Sequence, residues 1–174
     1  LSEEKENWVA EQGVEFQNYI LNHVHERREN PKDDVISHLA YGTFGDERPL
    51  TDSEIVRIID HLYIGGNETT TFALTSGLWI LLREDGLYQR VLNNRELVEP
   101  FIEEVLRLES PTQGLYRTTT QDEEFHGVTI PKDSTIHIRY AAANRDERMF
   151  ENPDEVNLER HNLKRHMAFS LGEH

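Results

Sequence analysis

Residues 51–83 constrain the fold more than any other stretch. "TDSE", 51–54, places Glu54 three residues after Thr51, the reciprocal pattern that caps a helix start. From Ile55 to about Arg83 the chain then reads as one long apolar helix, stopped by "EDG" at 84–86. Its interior is at odds with its length. "IGGNETTT", 64–71, sets two glycines and three threonines inside it. Each glycine costs roughly 1 kcal/mol relative to Ala in a helix, and threonines compete for backbone bonds. Thr69 stands four residues after Gly65, so its hydroxyl can bond the Gly65 carbonyl in place of the amide. The expectation is a helix opened by a π-type bulge, with a groove lined by backbone and no Cβ at 65 or 66. Glu68 adds a carboxylate beside it, and a hydroxyl with a carboxylate suits proton delivery to a small ligand. A Gly-Gly pair by itself reads equally well as room for a packed neighbour.

The surrounding chain predicts a mainly α fold with small β-sheets. Residues 1–28 carry Trp8, Val9, Phe16, Tyr19, Ile20 and Val24 at helical spacing. "DDVISHLAYG" is a short capped helix, "TFGDERPL" a loop, 86–93 a short helix and 96–109 an amphipathic one ended at Ser110-Pro111. Between Gly114 and Tyr140 the residues turn β-branched and aromatic, with turns at His126-Gly127 and Pro131–Ser134, giving two or three short strands. "AAANRDER" suits one or two helical turns, and 149–165 is a long irregular segment. Trp8 and Trp79 are expected to be packing residues.

Charge excludes some partners. With 18 basic and 33 acidic residues the net charge is −15, which opposes nucleic acid and anionic membrane. "FALTSGLWILL", 72–82, is too short and interrupted to span a bilayer, and no secretory leader is expected. There is no cysteine, hence no disulfide and no zinc-thiolate site. His161, His166 and His174 lie in irregular chain without helical metal-ligand spacing, so no metal is assigned to this chain's own residues.

"EEVLR", 103–107, puts Glu104 and Arg107 at i, i+3, which alone reads as a surface pair worth a few tenths of a kcal/mol. "HMAFSLGEH", 166–174, brings Phe169, Gly172 and His174 together in a tight loop. Taken in order, these segments resemble the C-terminal half of a cytochrome P-450, a haem-thiolate monooxygenase of the soluble bacterial type. "GGNETT" resembles the oxygen-activation motif, "EEVLR" the Glu-x-x-Arg motif, and "SPTQGLYRTTTQD" the strand region whose Arg reaches a haem propionate. "AAANRDERMFENPDEVNLERHN" resembles the meander, and "HMAFSLGEH" the start of the Phe-x-x-Gly-x-His/Arg-x-Cys loop. The likeness runs at normal spacing from about residue 19 to the last residue.

The resemblance implies a single partial P-450 domain over 1–174, helical over 1–109, a β-region over 110–140, then meander and loop. It implies haem b, with the Cys ligand two positions past His174. Glu68 and Thr69 match the residues that relay protons to dioxygen, and Gly65 and Gly66 the oxygen groove. Arg117 and His174 match propionate ligands, and Phe169 and Gly172 the haem loop. Glu104, Arg107 and the meander Arg160 match a structural set that fixes the loop scaffold. His61, Ile64, Gln113 and Leu115 match the substrate pocket, though a lone histidine such as His61 is more often a satisfied core or surface residue. Ser170 and Val156 depart from the family pattern, standing where Gly and an aromatic are common.

The implied parent activity is insertion of one atom of dioxygen into a small organic substrate, in the cytoplasm. Electrons would come from NAD(P)H through a ferredoxin or flavodoxin-type partner. Without the Cys ligand the 174 residues alone are expected to be inactive, so a haem-free remnant or interaction module is the alternative. A carboxylate-bridged metal oxidase is a weaker rival, because the Glu-x-x-His pairs it needs are not found on two helices.

Overall fold

The computed structural model describes residues 2–45 and 47–171. It is mainly α with small sheets, and it divides into two compact units, Leu1–Asn67 and Glu68–His174.

The first unit begins with α1, Glu3–Glu29, capped by the Ser2 hydroxyl and carrying Glu3, Glu4 and Glu6 in its first turn, where they meet the positive end of the helix dipole. α2, Val35–Ala40, starts at Asp34, whose carboxylate accepts from the Ser37 amide at 2.8 Å. The stretch expected as loop forms a minimal hairpin of β1, Thr43–Phe44, and β2, Arg48–Pro49. Gly45, at φ +58°, makes the reversal, a conformation open to glycine at no steric cost. α3 runs from Asp52 to Arg83. Its capping box forms as the sequence predicts, with Thr51 N donating to Glu54 Oε2 at 2.9 Å and Glu54 N donating to Thr51 Oγ1 at 3.3 Å. Ile20, Val24, Ala40, Ile55 and Val56 make this unit's core.

One expectation is corrected here. α3 is α-helical without interruption from Asp52 to Arg83, and no π-type turn opens it at residues 64–71. The reason is visible one turn later in the same helix. Thr75 Oγ1 donates to the Thr71 carbonyl at 2.8 Å while the helix continues unbroken. A carbonyl has two lone pairs, so a hydroxyl joins the helical ladder without displacing an amide.

In the second unit Gly86, at φ +72°, ends the turn after α3 and starts α4, Leu87–Asn93. A 3-10 turn at Arg95–Leu97 leads into α5, Val98–Leu108. Ile80, Leu87, Phe101, Val105, Leu108 and Leu158 form the core, and Val156 packs against it. Four strands follow rather than two or three. β3, Leu115–Thr118, pairs antiparallel with β6, Thr135–Ile138, in the register Leu115↔Ile138 to Thr118↔Thr135. β4, Glu123–Phe125, and β5, Val128–Ile130, are joined by His126 and Gly127 at φ +51° and +77°. Two successive positive φ values match the right-handed strand twist in a two-residue hairpin. α6, Tyr140–Ala143, is one turn, and the rest is irregular apart from a 3-10 turn at Leu163–Arg165.

The tryptophans are not core residues. Trp8 and Trp79 are both about half exposed, and the Arg83 guanidinium lies 4.3 Å from the Trp79 ring centroid. That stacking keeps one face of the indole in contact with a cation instead of with a core. No helix of the described residues is long and apolar enough to cross a membrane.

Candidate functional site

The strongest polar constellation in the second unit is built on one face of α5. Glu104 and Arg107 have no exposed side-chain surface. Arg107 Nε and Nη2 donate to the two Glu104 carboxylate oxygens at 2.6 and 3.0 Å. The reading of this pair as an ordinary surface pair therefore does not hold: the i, i+3 spacing is as expected, the burial is not. Arg160 joins them, its Nε 3.2 Å from Glu104 Oε1. One buried carboxylate thus faces two guanidinium groups, and the surplus positive charge is met by main-chain oxygens. Arg107 donates to the carbonyls of Asn144 at 3.0 Å, Pro153 at 2.6 Å and Glu155 at 3.0 Å. Arg160 donates to Glu151, to Asn152 at 2.8 Å and to Glu155 at 3.0 Å. Glu104 also accepts the Asn157 amide at 2.9 Å. Paired and hydrogen-bonded charge can be buried at tolerable cost; Arg160 Nε alone reaches Glu104 as an ion pair without a hydrogen bond, and the other bonds hold an irregular segment that has no ladder of its own.

A second buried group continues the network. Asn144, fully buried, donates from Nδ2 to Ser110 Oγ at 2.9 Å and accepts the Met167 amide on Oδ1 at 2.6 Å. Ser110 in turn donates to the Leu106 carbonyl at 2.8 Å. His166 sits beside it, its Nε2 2.8 Å from Glu103 Oε2 and its Nδ1 accepting the Ala168 amide at 3.2 Å. Sequence reasoning missed Asn144, Ser110, Glu103 and His166. Their separations of up to 63 residues leave no local pattern to read.

The loop that follows is exposed and apolar at its tip, with Phe169 at 79%. Ser170 adopts φ +66°, the left-handed region, at the position where glycine is common in the family pattern. Gly172 and His174 lie outside the described residues.

Arg117, on β3, is exposed, and its side chain donates from Nη1 to the Tyr116 carbonyl at 3.0 Å. Among the described residues it has no carboxylate partner. Leu115 on the same strand is 44% exposed, and Gln113 offers its carbonyl to the Ala141 amide at 3.1 Å, leaving its side chain exposed. A cation without an acid beside it, flanked by uncovered apolar side chains, is the donor set a carboxylate-bearing apolar group would take.

On α3, Gly65 and Gly66 face open space, since a Cβ built on either would meet no atom within 4 Å. Glu68 is exposed and Thr69 half-buried. Ile64 is exposed, and His61, also exposed, donates from Nδ1 to the Arg57 carbonyl of its own helix at 3.2 Å. That bond makes His61 a satisfied surface residue in this unit, bordering a polar groove with Gln17, Asp52, Arg57 and Asp60.

The fold thus carries a bare-glycine face on a long helix and a buried acid–arginine cluster under an irregular segment. The sequence matches the cytochrome P450 family over residues 4–174, and the chain belongs to that family, whose members are haem monooxygenases. It is 37% identical over 173 residues to cytochrome P450(BM-1) of Priestia megaterium, covering 99% of this chain and 42% of that protein. It is 34% identical over 161 residues to the polyketide biosynthesis cytochrome P450 PksS of Bacillus subtilis, covering 92% of this chain and 39% of that one. Among solved structures, CYP109E1 from Bacillus megaterium in complex with corticosterone superposes with a TM-score of 0.88 at 32% identity, over 99% of this chain and 46% of that one. P450BioI, in complex with an acyl carrier protein bearing hexadec-9Z-enoic acid, gives 0.85 at 30% identity, over 100% and 44%. The chain therefore spans less than half the length of the relatives it matches.

Proposed function

We propose that this chain is the helix-and-meander portion of a monooxygenase that inserts one atom of dioxygen into a small organic substrate. Electrons would arrive from NAD(P)H through a ferredoxin or flavodoxin-type donor, in the cytoplasm. The observation that carries the reading is Arg117: an exposed guanidinium, without an acid among the described residues, on a strand with an uncovered apolar neighbour. Haem b, held by a cysteine thiolate two positions past His174, would supply the redox-active iron at which dioxygen is activated.

The chain's own residues have separable tasks. Arg117, with His174, would neutralise the propionate carboxylates, which otherwise lose their hydration without compensation. Phe169 and Gly172 would be the loop's further haem contacts. Gly65 and Gly66 present backbone with no side chain over it, leaving room for a diatomic ligand. The Thr69 hydroxyl holds a proton at Oγ1, and Glu68 is the carboxylate that replenishes it from solvent. For Ile64, Gln113 and Leu115, and for His61 as a polar member, the substrate-side role rests on the family resemblance alone. Glu104, Arg107 and Arg160 act on the scaffold and not on the chemistry. The single partial domain over 1–174 is part of the same proposal.

The test is the ferrous-carbonyl absorbance spectrum of the full-length parent. A red-shifted, thiolate-type Soret band is expected. A protein that takes up no haem would overturn the proposal in favour of a haem-free interaction module.

A further inference from the structure

The start of the haem loop is tied to α5 through one imidazole. His166 is 5% exposed in its side chain and Glu103 22%. A backbone N–H only donates, so the 3.2 Å bond from the Ala168 amide requires a lone pair on His166 Nδ1. The ring's single proton is then on Nε2, where it is donated to Glu103 Oε2 at 2.8 Å. The tautomer follows from its partners: the doubly protonated ring would set Nδ1–H against the Ala168 N–H. A second, independent strap lies next to it, the Met167 amide held by the buried Asn144 side chain at 2.6 Å. Two consecutive amides are therefore fixed by side chains immediately before the exposed Phe169 and the left-handed Ser170.

We propose that His166 is a positioning residue: as the neutral Nε2–H tautomer it links the Ala168 amide to the Glu103 carboxylate and so aims the loop that follows. What the loop carries rests on the function proposed above; the clamp itself does not. Lys164 closes the same side, pairing with Glu99 of α5 at 2.5 Å. The geometry divides the imidazole's work between its two nitrogens, and each half has its own mimic. In His166→Asn the amide oxygen takes the place of Nδ1 and keeps an acceptor for Ala168. In His166→Ala both bonds are lost.

The protein is labelled with ¹⁵N-histidine, and the His166 signal among nine histidines is the one missing from His166→Asn. Two-bond ¹H–¹⁵N correlations on the unsubstituted protein are expected to show an unprotonated Nδ1 and a protonated Nε2. A proton on Nδ1, or a mixture of tautomers, overturns the clamp without any substitution. Amide exchange at Ala168 is expected to speed up roughly threefold or more in His166→Ala, the scale of one net hydrogen bond, and to stay near the parent rate in His166→Asn. Equal rates in the parent and His166→Ala overturn it. In the haem-loaded parent, His166→Ala should move part of the ferrous-carbonyl band away from the thiolate-type position and His166→Asn should restore it. Identical spectra for all three refute the loop-aiming role. A parent that takes up no haem defeats the proposed function, and the tautomer and exchange results still decide the clamp.

Discussion

Replacing Arg107 with lysine tests whether the buried cluster works as a charge or as a fork. The substitution keeps the positive charge and discards the planar geometry. Arg107 makes five hydrogen bonds, two to Glu104 and one each to the carbonyls of Asn144, Pro153 and Glu155. An ammonium group has three N–H donors on one atom, so at least two of those five charge-assisted bonds are lost. Each hydrogen bond to a charged group is worth about 1.5–3 kcal/mol, which gives a loss of about 3–6 kcal/mol. Total stability is only about 5–15 kcal/mol. For a chain of this size about 2–4 °C of melting temperature goes with each kcal/mol, so the midpoint should fall by about 6–24 °C. Thermal unfolding followed by far-UV circular dichroism measures it, with amide exchange over residues 151–160 as the local readout. Two of the three carbonyls, those of Pro153 and Glu155, belong to that segment, so its amides should exchange faster even below the midpoint. A drop under about 3 °C with unchanged exchange there would refute the idea that the five directed bonds, and not the charge, hold the segment.

Three further outcomes are expected. Thr69→Ala in the haem-loaded parent should uncouple turnover, with more peroxide released per product; unchanged coupling would remove Thr69 from the proton path. In Gly114→Ala the new methyl would run into the Ile138 carbonyl and lie 2.7 Å from His137 Nε2; the backbone cannot yield cheaply there, so about 1–3 kcal/mol of stability should be lost. Faster amide exchange across Leu115–Thr118 is the check, and a neutral substitution would mean the strand pair is looser than described. The Asp34 carboxyl is lowered to about 2, first by the Arg27 side-chain bond and then by the Ser37 amide. Its ordinary value is near 4, so the stabilisation is complete above about pH 4 and is lost as pH falls toward about 2. Asp34→Asn should lower the urea midpoint at neutral pH and flatten the acid limb between those values; parallel acid limbs would contradict it.

What the sequence shows depends on how local the cause is. The Thr51–Glu54 box, the His126-Gly127 reversal and the stop at Gly86 are each decided within a few residues, and each is legible. The Glu104–Arg107 pair is legible as spacing, whereas its burial depends on Phe150 and the meander, more than 40 residues away, with the guanidinium 5.2 Å from that ring centroid. The family likeness supplied that link where periodicity did not. The expected π-type opening at Gly65 overstated a local effect, because a threonine hydroxyl shares a helical carbonyl, as Thr75 does, without breaking the helix. The roles of Asn144 and His166 were hidden for the opposite reason. Asn144 looks like an ordinary helix-end residue and His166 like one of several scattered histidines. Only the folded chain brings Ser110, Glu103 and the amides of Met167 and Ala168 to them.

Apart from the Glu104 carboxylate that they share, the guanidinium groups of Arg107 and Arg160 grip main-chain oxygens at residues 144, 151, 152, 153 and 155. Main-chain oxygens are the same whatever residue bears them. Apart from Asn152, held at φ +44°, the stretch is therefore free to change its letters but not its count: other point replacements between 151 and 155 leave the anchors in place, while adding or removing a single residue there slides carbonyls off their donors.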